Sequence, residues 1–125
     1  MGLYDMVMLK DNHIDFAGGI SKAVARTKAY LAESNRTLAI EVETRNMQEV
    51  SAAIQAGVDR IMLDNFSISE TKEAVEYIAG RTEVESSGGI THDTLVPYAE
   101  CGVDFISVGA LTHHIKGLDM SLKAL

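Results

Sequence analysis

Apolar residues gather in five short runs, and each run closes on charge or glycine. The runs are Val7-Met8-Leu9-Lys10, Leu38-Ala39-Ile40-Glu41-Val42-Glu43, Ile61-Met62-Leu63-Asp64, Val84-Glu85-Ser86-Ser87-Gly88-Gly89 and Phe105-Ile106-Ser107-Val108-Gly109. Runs of this length between polar segments predict strands. Helix signals fall between them. Ile20, Val24, Thr27 and Leu31 form a mostly apolar stripe, and Asn46 with Glu49 has capping-box spacing, with Gly57 as a stop. Ser67 with Glu70 starts a third helix that runs past Val75 and Ile78 to Gly80. A shorter helix over 91–100 ends at Gly102, with Pro97 in or near its first turn. No strict repeat and no low-complexity stretch is visible. Strands and helices alternating in this rhythm predict a parallel sheet with right-handed crossovers.

Strand parity separates two faces. Val7, Leu9, Leu38, Ile40, Val42, Ile61, Leu63 and Val84 share the aliphatic side expected to pack on helices. Lys10, Glu41, Glu43, Asp64 and Glu85 fall on the other side. A doubly wound sheet is apolar on both faces and does not accept so many charges. A barrel does, with the charges lining its lumen and mouth. The expected fold class is therefore α/β, an incomplete parallel (β/α) barrel of about five βα units. Five strands do not close an eight-stranded barrel, so open edges and self-association are expected.

Composition narrows the function classes. A chain of 125 residues supports one domain with one core. A net charge of −7 argues against a nucleic-acid or anionic-membrane surface. It leaves room for an anionic small molecule held by a local lysine and backbone amides. The single cysteine, Cys101, has no intrachain disulfide partner, and a reduced cytoplasmic setting is the simple reading. No segment reaches the ~20 apolar residues of a membrane helix, and no signal-peptide pattern opens the chain.

Ligands of parallel α/β sheets bind outside the carboxyl ends of the strands, so the run-closing residues are the candidates. Lys10 can pair with a carboxylate or phosphate, or be a solvated loop lysine. Glu43 and Asp64 can converge to hold Mg²⁺ through water, accept from sugar hydroxyls or stabilise a cationic transition state. They can equally be surface charge or a helix cap, and Asp64-Asn65 can simply begin a turn. Glu41 sits deeper and needs a buried partner, for which a structural salt bridge is the expectation. Ser86-Ser87-Gly88-Gly89 before a helix, with Gly109-Ala110 closing the next unit, offers backbone N–H groups to phosphate. His13 lies near enough to orient Lys10 or a substrate. His113 and His114 lack metal-ligand spacing and read as surface or interface residues. Cys101 reads as a buried structural thiol.

These segments occur in an order that resembles a known family. Met8-Leu9-Lys10-Asp11-Asn12-His13-Ile14, Glu41-Val42-Glu43, Ile61-Met62-Leu63-Asp64-Asn65-Phe66, Glu85-Ser86-Ser87-Gly88-Gly89-Ile90 and 102–113 together resemble the C-terminal barrel region of quinolinate phosphoribosyltransferases. The resemblance covers nearly the whole chain. It implies a pentosyltransferase that forms nicotinate mononucleotide, pyrophosphate and CO₂ from quinolinate and phosphoribosyl pyrophosphate with Mg²⁺, in NAD synthesis. It implies that Lys10 contacts the quinolinate carboxylate region and that Glu43 and Asp64 contact the ribose hydroxyls or the metal. It assigns Ser87, Gly88, Gly89, Gly109 and Ala110 to phosphate recognition. It also implies a homodimer or higher homo-oligomer whose sites are completed by the neighbouring subunit.

The sequence also departs from that pattern. Family members carry an N-terminal α/β domain, earlier barrel strands and further basic residues that grip quinolinate and pyrophosphate, none of which lies within 1–125. Residues 1–125 are therefore expected to be the C-terminal part of the barrel domain, with little or no turnover alone, because a dianion beside a pyrophosphate needs several cations. Two alternatives remain open. One is a non-catalytic phosphate- or nucleotide-binding half-barrel. The other is a related phosphoribosyltransferase-like protein of different specificity, such as the one associated with molybdate transport.

Overall fold

The structure is a computed structural model and describes residues 6–109 and 111–115. In chain order its elements are β1 (Met6–Leu9), α1 (Asp11–Ala17), α2 (Ile20–Glu33), β2 (Ala39–Thr44), α3 (Met47–Ala56), β3 (Arg60–Asp64), α4 (Ile68–Ile78), β4 (Glu83–Ser87), α5 (Leu95–Glu100), β5 (Phe105–Val108) and β6 (Leu111–His114). They build one six-stranded sheet in the order β1-β2-β3-β4-β5-β6. The first five strands run parallel, and β6 returns antiparallel to β5. A strand order that never reverses is that of a barrel rather than of a doubly wound sheet. The sheet ends at β1 and β6 instead of closing, so the molecule is an open half-barrel.

The aliphatic face packs on the helices as parity requires. Leu9, Ile40, Val42, Ile61, Leu63, Val84 and Ile106 join Val24, Val50, Ala53, Ala74 and Ile78 in one core. Each large side chain so buried contributes about 1.5–3 kcal/mol. Register puts the polar residues together on the opposite face: Glu41 lies beside Arg60, and Arg60 beside Glu83. On the next level Glu43 lies beside Met62, Met62 beside Glu85, and Glu85 beside Phe105.

Local chemistry sets the helix ends. Ser67 and Glu70 form a full capping box at α4. At α3 only half of one forms. Asn46 accepts from the Glu49 amide, but the Glu49 carboxylate reaches one residue further, to the Arg45 amide at 2.7 Å. A Gly-Val-Asp tripeptide recurs at 57–59 and 102–104, and it does one job twice. Val58 and Val103 are buried. The Asp59 amide donates to Ile40 O at 2.9 Å, and Asp59 Oδ2 accepts from the Ile40 amide at 2.8 Å. Asp104 makes the same pair of bonds to Val84, each at 2.9 Å. Each aspartate thus stitches its strand's start to the preceding strand.

Three expectations need correction. A sixth strand exists: Val108 pairs with Leu111 across a two-residue connection, so Gly109 opens a hairpin and not a βα loop. Its φ of 62° suits that turn. Leu111-Thr112-His113-His114 lacks apolar alternation, which hid the strand. A short helix, α1, starts directly after Lys10, ahead of the stripe over 20–31 where the first helix is expected. The last helix begins at Leu95, not at Thr91. A start at 91 would drive the Pro97 ring into the carbonyl of residue 93, whereas a start at 95 keeps proline in the first turn. Cys101 is buried as expected, and its Sγ donates to Pro97 O at 3.4 Å. Burial pushes that thiol's pKa up.

Candidate functional site

The carboxyl ends of the strands carry the candidate residues. Lys10 follows β1 in extended conformation (φ −92°, ψ 167°) and is the N-cap of α1. Lysine is a poor choice there, because it has no acceptor and puts positive charge on a positive helix end. Neighbours supply what it lacks. Glu43 Oε1, from the end of β2, accepts the Asp11 amide at 3.0 Å. Asp11 Oδ1 accepts from the Asn12 amide at 2.7 Å, and Asn12 Oδ1 from the His13 amide at 2.9 Å. The segment Lys10-Asp11-Asn12-His13 is therefore a helix start whose N–H groups are met by Glu43 and by its own Asp11 and Asn12 side chains. Glu43 is a helix cap through one oxygen. His13 is exposed on α1 and makes no hydrogen bond or ion pair with Lys10.

Asp64 ends β3, half-buried, level with Ser87 on β4. Glu43 pairs with Met62, two residues before Asp64 on the same face, so the two carboxylates are diagonal neighbours. Among the described residues, the Lys10 ammonium and the Asp64 carboxylate make no hydrogen bond or ion pair. Among them also, no three metal-capable side chains converge.

Behind Asp64 the backbone tightens. Asn65 adopts φ 61° and donates its amide to Ser87 O at 2.9 Å. Gly88, at φ +94°, presses against it. A Cβ on Gly88 would stand 2.7 Å from Asn65 Oδ1 and 2.9 Å from Asn65 N. Ser87, Gly88, Gly89 and Gly109 line one cavity of about 570 Å³, with His92 and Ser107 also on its wall. The two glycine turns thus meet, although the second is a hairpin turn. Ala110 lies outside the described residues. His113 is exposed on β6, while the His114 ring lies 5.0 Å from that of Phe105.

Below the mouth sits a buried polar cluster. Arg60 Nη1 lies 3.6 Å from Glu85 Oε1, its Nη2 lies 3.3 Å from Glu83 Oε1, and its Cζ stands 3.6 Å over the Phe105 ring. The Ser107 hydroxyl donates to Glu85 Oε2 at 2.5 Å and also meets Thr112. Glu41 is 1% exposed, and its Oε2 has no partner. Burial first, then the neighbouring Glu85 carboxyl, push the Glu41 pKa up to about 9. The expected Glu41 salt bridge is therefore absent among the described residues. Arg60 pairs with Glu83 and Glu85, and Glu41 is a neutral acid at pH 7. Arg60 carries no sequence signal of its own, because it opens β3 just ahead of the apolar run that starts at Ile61.

An exposed network flanks the mouth. Arg45 Nη2 reaches Glu49 Oε2 at 2.7 Å and Asp15 Oδ1 at 3.2 Å, and its Nη1 lies 3.9 Å from Asp11 Oδ2. Glu49 and then Asp15 tighten the guanidinium's hold on its proton, and Arg45 holds the Glu49 carboxyl below its ordinary range.

Comparison with known proteins gives a consistent result. The family model described as "Quinolinate phosphoribosyl transferase, C-terminal domain" matches residues 1–123. The chain is 46% identical to the chloroplastic nicotinate-nucleotide pyrophosphorylase [carboxylating] of Oryza sativa, over 98% of this chain and 37% of the relative. It is 41% identical to the probable nicotinate-nucleotide pyrophosphorylase [carboxylating] of Methanocaldococcus jannaschii, over 96% of this chain and 44% of that protein. Among solved structures, the nicotinate-nucleotide pyrophosphorylase from Francisella tularensis superposes with a TM-score of 0.74 at 49% identity, covering 92% of this chain and 40% of that one. The chain thus spans about two fifths of the length of the relatives it matches.

Proposed function

The chain belongs to the quinolinate phosphoribosyl transferase C-terminal domain family, and on that premise we propose that its strand ends form the ribose-phosphate side of a quinolinate phosphoribosyltransferase active site. The whole enzyme would convert quinolinate and phosphoribosyl pyrophosphate to nicotinate mononucleotide, pyrophosphate and CO₂ in NAD synthesis. The observation that carries this reading is the shared cavity between the Ser87-Gly88-Gly89 turn and the Gly109 turn, next to Asp64.

Each residue has a role that its setting supports. Positive-φ glycines keep side chains out of the cavity, so a phosphate reaches backbone N–H groups there. Departure of pyrophosphate leaves positive charge on the ribose, which the carboxylates of Asp64 and Glu43 stabilise. Lys10, which makes no hydrogen bond or ion pair among the described residues, takes a carboxylate of the pyridine ring. Mg²⁺ neutralises pyrophosphate when bound. Two carboxylates, with no third ligand beside them among the described residues, suit this ion, which keeps waters and phosphate oxygens in its shell. Asp64 and the Glu43 oxygen not engaged by Asp11 would hold it, through water. The net charge of −7 favours small-molecule over nucleic-acid partners, the open sheet edges favour a second copy of the chain, and the single buried thiol favours a reducing compartment such as the cytoplasm.

Amide NMR tests the assignment. Nicotinate mononucleotide should shift the Gly88, Gly89 and Gly109 resonances saturably and leave those of α2 unmoved. Shifts confined to other surfaces would refute it.

A further inference from the structure

β2 leaves the sheet through Glu43-Thr44-Arg45, and both charged residues hold α1. Thr44 between them is fixed: it is fully buried, and its hydroxyl donates to Met62 O at 2.8 Å. Glu43 takes the first amide of α1, and Arg45 takes the side chains one turn apart on its flank, Asp11 and Asp15.

α1 needs such support. It has seven residues, well below the length at which a helix persists by itself. Its N-cap is a lysine. Asp11 and Asp15, at i and i+4, repel each other unless a cation lies between them. Ile14 and the partly buried Ala17 anchor the middle and end of the helix to the core, but neither fixes where its N-terminus points. The guanidinium suits the task because three carboxylates meet its separate nitrogens. Nε lies 3.3 Å from Glu49 Oε1, Nη2 meets Glu49 and Asp15, and Nη1 lies 3.5 Å from Asp15 Oδ2. Glu49 sits on α3 and also accepts the Arg45 amide, so the grip is anchored to the body of the domain.

We propose that Arg45 is a positioning residue: by clamping α1 to the end of β2 it sets the backbone of Lys10 beside Glu43, without touching ligand itself. The proposal rests on the reading that Lys10 meets a bound carboxylate. Exposed ion pairs add little to stability one by one, so the consequence is expected in affinity more than in melting temperature.

A double-mutant cycle on the whole chain tests this, with nicotinate mononucleotide as the calorimetric probe. Arg45→Gln should weaken binding roughly three- to tenfold, and the loss should vanish in a Lys10→Ala background. Arg45→Lys should recover only part of it. The Asp11 amide gives a readout that needs no ligand: in Arg45→Gln it should move upfield and exchange faster as the Glu43 bond loosens. Equal losses with and without Lys10, or an unmoved Asp11 amide, overturn the proposal. A wild-type chain that leaves the nucleotide unbound refutes the functional reading instead, and the Asp11 amide then decides alone on Arg45.

Discussion

Replacing Gly88 by alanine separates two costs that glycine turns usually mix. Gly88 and Gly89 both have positive φ, +94° and +70°. Only Gly88 is crowded: an added Cβ would meet Asn65 Oδ1, Cγ and N within 2.9 Å, whereas at Gly89 nothing lies within 4 Å. Gly89→Ala should therefore cost about 1–2 kcal/mol, the price of left-handed backbone for an L-residue. Gly88→Ala carries that strain and also forces Asn65 to move. The Asn65 amide is held by Ser87 O, so overpacking adds about 1–3 kcal/mol. Urea unfolding of the two variants against wild type should show that gap, which corresponds to roughly 3–10 °C in melting temperature. Asn65→Gly in the Gly88→Ala background should return part of the loss, because two of the three contacts are Asn65 side-chain atoms. Equal destabilisation by the two alanines would refute the reasoning.

Other outcomes follow from single features. Glu41→Gln should flatten the pH dependence of stability. With the carboxyl raised to about 9, the folded state holds a proton that the unfolded chain releases above about 4.5, so wild type loses stability as pH rises through that window. Urea midpoints between pH 5 and 8.5 should therefore fall more steeply in wild type than in Glu41→Gln, and parallel curves would contradict this. Ser67→Ala should cost about 1 kcal/mol by removing the cap of α4. The Ser67 amide, and then its side chain, hold the Glu70 carboxyl below its ordinary range, so the carboxylate half of the capping box acts above the ordinary carboxylate range and fades as pH falls through the lowered value, whereas the Ser67 hydroxyl accepts from the Glu70 amide at any pH. Asp59→Ala leaves the Ile40 amide without its acceptor and should cost about 1–3 kcal/mol, measured by chemical denaturation.

Much of the fold was legible because its signals are local. Ser67 and Glu70 cap the helix their spacing announces, and alternation along β2 and β3 placed Glu41, Glu43 and Asp64 opposite the aliphatic core. What stayed hidden depends on partners far away in sequence. α1 could not be seen because its N-cap breaks the usual preference and its cap comes from Glu43, 32 residues on. The partner of Glu41 is not legible, because parity shows that a carboxyl is buried but not whether a cation or another acid faces it. Gly109 was legible as a turn, but not as a hairpin, because β6 gains its pairing from β5 and not from its own sequence. His92 and Ser107 line the cavity without a motif of their own, and only the meeting of the β4 and β5 ends brings them there.

The central claim is that these strand ends hold a phosphoribosyl group. Calorimetric titration of the purified chain with phosphoribosyl pyrophosphate and Mg²⁺ tests it most directly. Saturable one-to-one binding is expected, abolished by Asp64→Ala while circular dichroism shows the fold retained. A flat isotherm from a folded wild-type sample, or binding that survives Asp64→Ala unchanged, would contradict it.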